Sequence, residues 1–269
     1  VAVPGGPHLG ERLDESAAAE YFDTGELVDP ADVDEIENTI NDVSTGTTPS
    51  PADWNAWAET NGYSPAEVQA ALDNLEGEER AALNPWLDDN RGDPNHPALG
   101  LTSFLCQTMR SDQVEEFHRD VPNLEPRLRE PADEWLQMII DMHPDLDLDA
   151  TGFEDIAQGS LGDCTTLASL AAVAAANPGW FDEHIQDNDN GTFTVTVYDP
   201  DGNPVDVVVS SYLPGESGNL SYNGRDTRAA TWAAIYEKAM AQYQGGDYEE
   251  IDGFWPADLM PTVTGRDND

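Results

Sequence analysis

The sequence predicts an α+β fold, mainly helical, and three observations predict it. Four segments carry the chemistry of a helix start: Asp29-Pro-Ala-Asp32, Ser50-Pro-Ala-Asp53, Ser64-Pro-Ala-Glu67 and Glu130-Pro-Ala-Asp133. In each, a polar residue caps orphan backbone N–H groups, Pro at the first helical position has no N–H to lose, and an acid meets the positive end of the helix dipole. The β-branched runs Thr192 to Tyr198 and Val205 to Val209 flank the turn-rich stretch Asp199 to Pro204 and read as a hairpin. Cys164 to Ala176 and Trp232 to Tyr243 have the length and apolar spacing of buried helices.

Taken in order, residues 1–28 are rich in Gly and Glu without periodicity and are expected to be weakly ordered and acidic. Residues 29–145 read as a helical domain. Its stripes are Val33, Ile36 and Ile40; then Val68, Ala71, Leu72 and Leu75; then Leu99 to Met109 and Val114 to Phe117; and finally Leu136, Ile139, Ile140 and His143. Asp88 to Pro97 is a turn-rich connector, and the irregular spacing of the caps excludes a repeat fold. Residues 146–269 hold the hairpin and the two long helices, giving the α+β half. The tryptophans Trp54, Trp57, Trp86, Trp135, Trp180, Trp232 and Trp255 are expected in the core, with Trp232, Tyr236 and Ala239 on one helix face.

Charge excludes whole classes of function. The 269 residues carry 54 Asp and Glu against 11 Lys and Arg, a formal charge of -43, and Lys238 is the single lysine. Such a surface repels phosphate backbones and anionic lipid, so neither nucleic acid nor membrane is an expected partner; the charge itself reads as solubility or adaptation to a salty cytoplasm, and any charged partner is expected to be basic, or a cation. No apolar run approaches the ~20 residues of a membrane span. Two cysteines, Cys106 and Cys164, make neither a disulfide framework nor a zinc site, which fits a reducing, cytoplasmic setting. Cys106 lies among apolar residues at helical spacing and reads as a buried structural thiol.

Cys164 differs, because it opens a helix. A thiol there sits in the positive field of the macrodipole, which favours the nucleophilic thiolate. Six residues earlier stands Gln158, and the intervening Gly-Ser-Leu-Gly loop can fold its amide back beside the sulfur. A nucleophile and a donor for the developing oxyanion are the pair that acyl transfer requires.

The residues around this pair, Asp155-Ile-Ala-Gln158-Gly-Ser-Leu-Gly-Asp-Cys164, resemble the nucleophile segment of the calpain family of cysteine endopeptidases. The resemblance continues through Pro204 to Pro214, Gly218 to Tyr222, Thr231 to Ala241, Tyr248 to Gly253 and Thr262 to Gly265, covering about residues 150–266. It implies the first lobe of a papain-like, two-lobed protease core, here preceded by an all-helical domain, with Cys164 as catalytic nucleophile and Gln158 in the oxyanion hole. The substrate would be a protein or peptide. Thr165 stands where the family usually has an aromatic residue.

The resemblance also implies a second lobe that supplies the catalytic His and its orienting Asn, beyond the region matched by this chain. His184 comes too early in chain order for that role, and His8, His96, His118 and His143 precede the nucleophile. The chain alone is therefore expected to be close to inactive; the alternative reading is a non-catalytic interaction or scaffold protein that retains the lobe fold. No cofactor is required. Calcium is a further candidate ligand, because Asp155 and Glu237 fall near positions that bind the ion in calcium-activated members. The run Asp145-Leu-Asp-Leu-Asp149 is not an EF-hand loop, since Ala150 and Ile156 occupy its sixth and twelfth positions.

Overall fold

The computed structural model describes residues 28–92, 97–130, 132–137, 139–141, 156, 158–217, 219–222, 229–253 and 255–266. The acidic segment 1–27 and the run Asp145 to Asp149 lie outside them.

Six helices come first: α1 (Pro30–Ser44), α2 (Trp54–Asn61), α3 (Pro65–Asn74), α4 (Gly77–Asp89), α5 (Pro97–Thr108) and α6 (Ser111–Asp120). The caps of α1 and α3 form as their chemistry dictates. Asp29 accepts from the Ala31 N–H, and Ser64 and Glu67 make a reciprocal capping box. Glu67 also receives the Asp29 backbone N–H at 3.0 Å, so one acid ties two helix starts together. Helix α2 departs from expectation: its cap is Asp53, which accepts from the Ala56 N–H, while Ser50 receives the Trp54 indole N–H at 3.0 Å.

The larger correction concerns Glu130 to Ile140. In place of a capped helix stand two strands, β1 (Glu134–Gln137) and β2 (Ile139–Asp141). A short apolar stretch satisfies helical and extended spacing alike, and here the partners decide. Strand β1 pairs antiparallel with the later strand Tyr212–Glu216, placing Trp135 opposite Pro214 and Leu136 opposite Leu213, and β2 pairs parallel with the strand Ala229–Thr231.

The rest comprises α7 (Cys164–Ala176), α8 (Trp180–His184), β3 (Ile185–Asp187), β4 (Thr192–Tyr198), β5 (Pro204–Ser210), β6 (Tyr212–Glu216), β7 (Asn219–Leu220), β8 (Ala229–Thr231), α9 (Trp232–Tyr243) and α10 (Pro256–Thr264). The expected hairpin is β4 and β5, in register from Thr192 opposite Ser210 to Tyr198 opposite Pro204, with β3 on the outer edge of β4.

Strand β5 has both faces covered. Val207 and Val209 enter one core with Leu167, Leu170, Phe181, Trp232 and Tyr236, whereas Val208 joins the other with Val114 and Phe117 and with α5 residues such as Leu101, Phe104 and Leu105. The sheet thus lies between the layer of α1–α6 and the layer of α7, α9 and α10. That explains the unbroken Val207 to Val209 run, since a strand buried on both faces loses the apolar–polar alternation. Cys106 is buried in the helical layer, and desolvation pushes its thiol up to about 12. Trp54 and Trp232 are buried, and Trp232 stacks on Phe181 with ring centroids 4.2 Å apart. Trp255 contradicts the core assignment: it is 74% exposed.

All twelve residues of α9 are buried, Lys238 included. Its Nζ donates to the Ser210 and Tyr212 carbonyls at 2.9 and 2.6 Å and to Ser210 Oγ at 2.9 Å, and it pairs with Glu125 Oε2 at 2.5 Å. Glu125 follows the 3-10 turn Pro122–Leu124 that ends the helical half, and its Oε1 lies 3.2 Å from His118 Nδ1. Burial pushes the Glu125 carboxyl up, but Lys238 and His118 outweigh it and hold the group at about 2, below its ordinary 4.5. Because the folded value is depressed, the stabilisation is complete above the unfolded value and is lost as pH falls from about 4.5 towards 2. The expected loss is roughly 3 kcal/mol. Urea midpoints between pH 5 and 2.5 check it: wild type should fall more steeply than Glu125→Gln, and parallel curves would refute the assignment.

Candidate active site

The junction between the Gln158 to Asp163 loop and α7 gathers the residues singled out by sequence. Cys164 is the first residue of α7, and its side chain is exposed. Its backbone N–H belongs to the first turn, where no intrahelical acceptor exists, so the N–H is available to a ligand. Asp163, the N-cap, uses its carbonyl to accept the Leu167 N–H at 3.1 Å. The helix behind Cys164 is apolar and anchored, with Leu167 and Leu170 in the core. Thr165, in place of an aromatic side chain, is half-buried.

The loop is held from both sides. Ser160 donates to the Ser221 carbonyl through its N–H at 2.8 Å and its hydroxyl at 2.6 Å. Gly159 packs so closely on the Ser221 and Tyr222 backbone that a Cβ would overlap it, and a Cβ on Gly162 would overlap the Asp252 carboxylate. Asp252 is paired in turn with Arg129, whose backbone N–H donates to the Tyr222 hydroxyl at 2.7 Å. The glycines at 159 and 162 therefore permit close backbone approach rather than an unusual turn.

Gln158 sits at the exposed rim, and its Nε2 donates to the Leu161 carbonyl at 3.1 Å. A carboxamide nitrogen has two hydrogens. One fixes the amide across the loop that ends in Cys164, and the other remains for an incoming oxygen.

Beneath Cys164, Asp163 and Glu237 are both buried. Desolvation raises the Asp163 carboxyl to about 6, against the opposing pull of its hydrogen bond with Glu237. Two carboxyls in such contact share a proton. Asp155, expected to join Glu237 around calcium, lies outside the described residues. Among the described residues, no group of three or more His, Cys, Asp or Glu side chains forms a metal cluster.

The described histidines have other duties. His184, the last residue of α8, has Nδ1 2.7 Å from the Trp180 carbonyl and Nε2 2.9 Å from the Tyr198 hydroxyl, and its ring stacks on Trp180. His118 stacks on Tyr212 and faces Glu125. His8, His96 and His143 lie outside the described residues. Sequence reasoning missed the buried pair of Lys238 and Glu125. The signal available was a solitary lysine placed on a mostly apolar helix.

The family model described as calpain family cysteine protease matches residues 128–268, just over half of the chain. Its start near residue 128 brings β1 and β2 into the matched region. Among curated relatives, calpain clp-4 of Caenorhabditis elegans is 34% identical over 116 residues, covering 41% of this chain and 16% of that protein. The calpain-2 catalytic subunit of Gallus gallus is 36% identical over the same coverage of each. The calpain-1 catalytic subunit of Mus musculus is 30% identical over 128 residues, 46% of this chain and 18% of that one. The chain thus spans under a fifth of the length of these relatives. With a family match over the whole α+β half and an exposed cysteine opening its first helix, the chain belongs to the calpain family of cysteine proteases.

Proposed function

We propose that this chain supplies the nucleophile lobe of a cysteine endopeptidase. The observation that carries the reading is Cys164 itself, exposed at the first position of α7 at the end of a loop anchored on both sides. In the proposed reaction the Cys164 thiolate attacks a peptide carbonyl, forming a C–S bond while the carbonyl π pair moves onto oxygen. The Cys164 backbone N–H and the second Gln158 amide hydrogen donate to that oxyanion. Collapse expels the amine, which takes a proton from a histidine, and water then releases the acyl group by the reverse proton transfers.

That histidine and its orienting Asn come, in this reading, from a second lobe, since His118 and His184 are committed elsewhere. Residues 1–269 alone then turn over peptide poorly, because loss of the base removes the proton donor to the leaving amine. Asp163 and Glu237 offer carboxyl oxygens of the kind a hard cation takes, but two carboxyls fall short of the six to eight oxygens of a calcium shell.

The test is covalent capture. A peptidyl electrophile should label Cys164 stoichiometrically when a calpain-type second lobe carrying His and Asn is supplied, and slowly without it. Absence of labelling with the second lobe bound would favour the scaffold reading.

A further inference from the structure

The loop that runs from Gln158 into α7 carries both donors assigned to the oxyanion, so its shape sets their spacing. Before the cysteine, Gly162 packs against the Asp252 carboxylate too closely to admit a Cβ. After it, the Thr166 hydroxyl donates to the Ile251 carbonyl at 3.4 Å. Two adjacent residues, Ile251 and Asp252, thus touch the chain on both flanks of Cys164. Asp252 is aimed in turn by Arg129, whose Nη1 pairs with its Oδ2.

Arg129 is itself fixed. Its backbone N–H donates to the Tyr222 hydroxyl at 2.7 Å, and its carbonyl accepts from the same hydroxyl. Tyr222 is buried, and its backbone is what Gly159 lies against. Arg129, Asp252, Gly162, Gly159 and Tyr222 therefore close a ring around the loop. The ring has a firm base, since the Arg127 N–H donates to the Gly246 carbonyl at 2.8 Å and the buried Tyr248 donates its N–H to the Arg127 carbonyl at 3.2 Å. The Arg129 and Asp252 side chains are 40% and 26% exposed, and ion pairs that wet contribute little to folding. Their effect is local: in a chain of formal charge -43, a neutralised carboxylate can rest against Gly162 where a bare one would oppose the thiolate nearby.

We propose that Arg129 and Asp252 are a positioning pair for the oxyanion hole, holding the loop so that the Gln158 amide and the Cys164 N–H converge on one oxygen. The proposal rests on the reading of Cys164 as nucleophile and adds two residues to that site, neither of which touches the reacting atoms.

The experiment uses the 269-residue chain and two reagents that reach the exposed Cys164 but not the buried Cys106. With p-nitrophenyl acetate the thiolate forms a C–S bond to the carbonyl carbon while the π pair moves onto oxygen. Collapse then breaks the ester C–O bond and expels p-nitrophenolate, which leaves with the electron pair and needs no proton from a histidine. Iodoacetamide alkylates the same thiolate by displacing iodide and builds no oxyanion. Both rates scale with the thiolate fraction, so the ratio of acylation to alkylation isolates the oxyanion donors, with Cys164→Ala giving the background. Arg129→Met and Asp252→Asn should each lower the ratio about tenfold, with urea midpoints close to wild type, and the double variant should be no worse than either single one. A ratio unchanged in both single variants would overturn the proposal. So would a ratio that falls only together with the urea midpoint, or equal losses in both reagents, since the pair would then act on the fold or on the thiol alone. Failure of the parent reading looks different: Gln158→Ala, expected to lower the ratio about 100-fold, would leave it at the wild-type value.

Discussion

Replacing Cys164 by Ala in the enzyme completed with its second lobe should lower kcat/KM for a peptide substrate by about 10⁴- to 10⁶-fold. The size follows from what is removed. Without sulfur no acyl-enzyme forms, and the residual rate rests on oxyanion donors and substrate positioning alone. The same variant should fold normally. Cys164 is exposed and takes no part in the core behind it, and Ala is the best helix former, so the stability change should stay within about 0.5 kcal/mol. Progress curves and urea midpoints measured on one preparation separate chemistry from folding. Retention of more than a few per cent of activity would remove Cys164 from the mechanism.

Replacing Lys238 has the opposite profile. Lys238→Ala should cost about 3–5 kcal/mol of stability, because it leaves Glu125 charged and buried and strips the Ser210 and Tyr212 carbonyls of their donor. Lys238→Met keeps the stem and still orphans the carboxylate. Adding Glu125→Gln to Lys238→Met should restore much of the loss, since removing both charges avoids the uncompensated ion. A double-mutant cycle on urea midpoints reads the coupling; additive losses would show that the pair does not act as one unit.

Much of the candidate site was legible in sequence because it is local. The loop and its helix occupy one stretch from Gln158 to Ala176, and the hairpin declares itself through Thr192 to Tyr198 and the turn after it. The caps at Asp29 and Ser64 were equally readable, since a cap contacts residues two or three positions away. Glu130-Pro-Ala-Asp133 carries the same local signature and fails. Its outcome is set by β6, nearly eighty positions later, and no cap rule sees that far. Helix α4, which begins at Gly77 and contains Pro85, was hidden by the two residues that most weaken a helical pattern. The pairing of Glu125 with Lys238 was invisible for the same reason as β1: a sequence shows that a lysine is solitary, not which acid it meets. Asp163 and Glu237 likewise sit in separate motifs until the fold stacks α9 beneath α7.

The double coverage of β5 bears on how the molecule breathes. Lifting the α1–α6 layer would wet Val208 and Tyr212 and would also deprive Lys238 of Glu125 at the centre of α9. Partial opening along that plane is therefore nearly as expensive as global unfolding, so the β5 amides and the α9 amides should exchange hydrogen together, at the slowest rate in the protein. Such a seam resists nicking and release of one layer. The helical half is thus a fixed wall of the lobe, and the exposed face around Cys164 is left outside that seam.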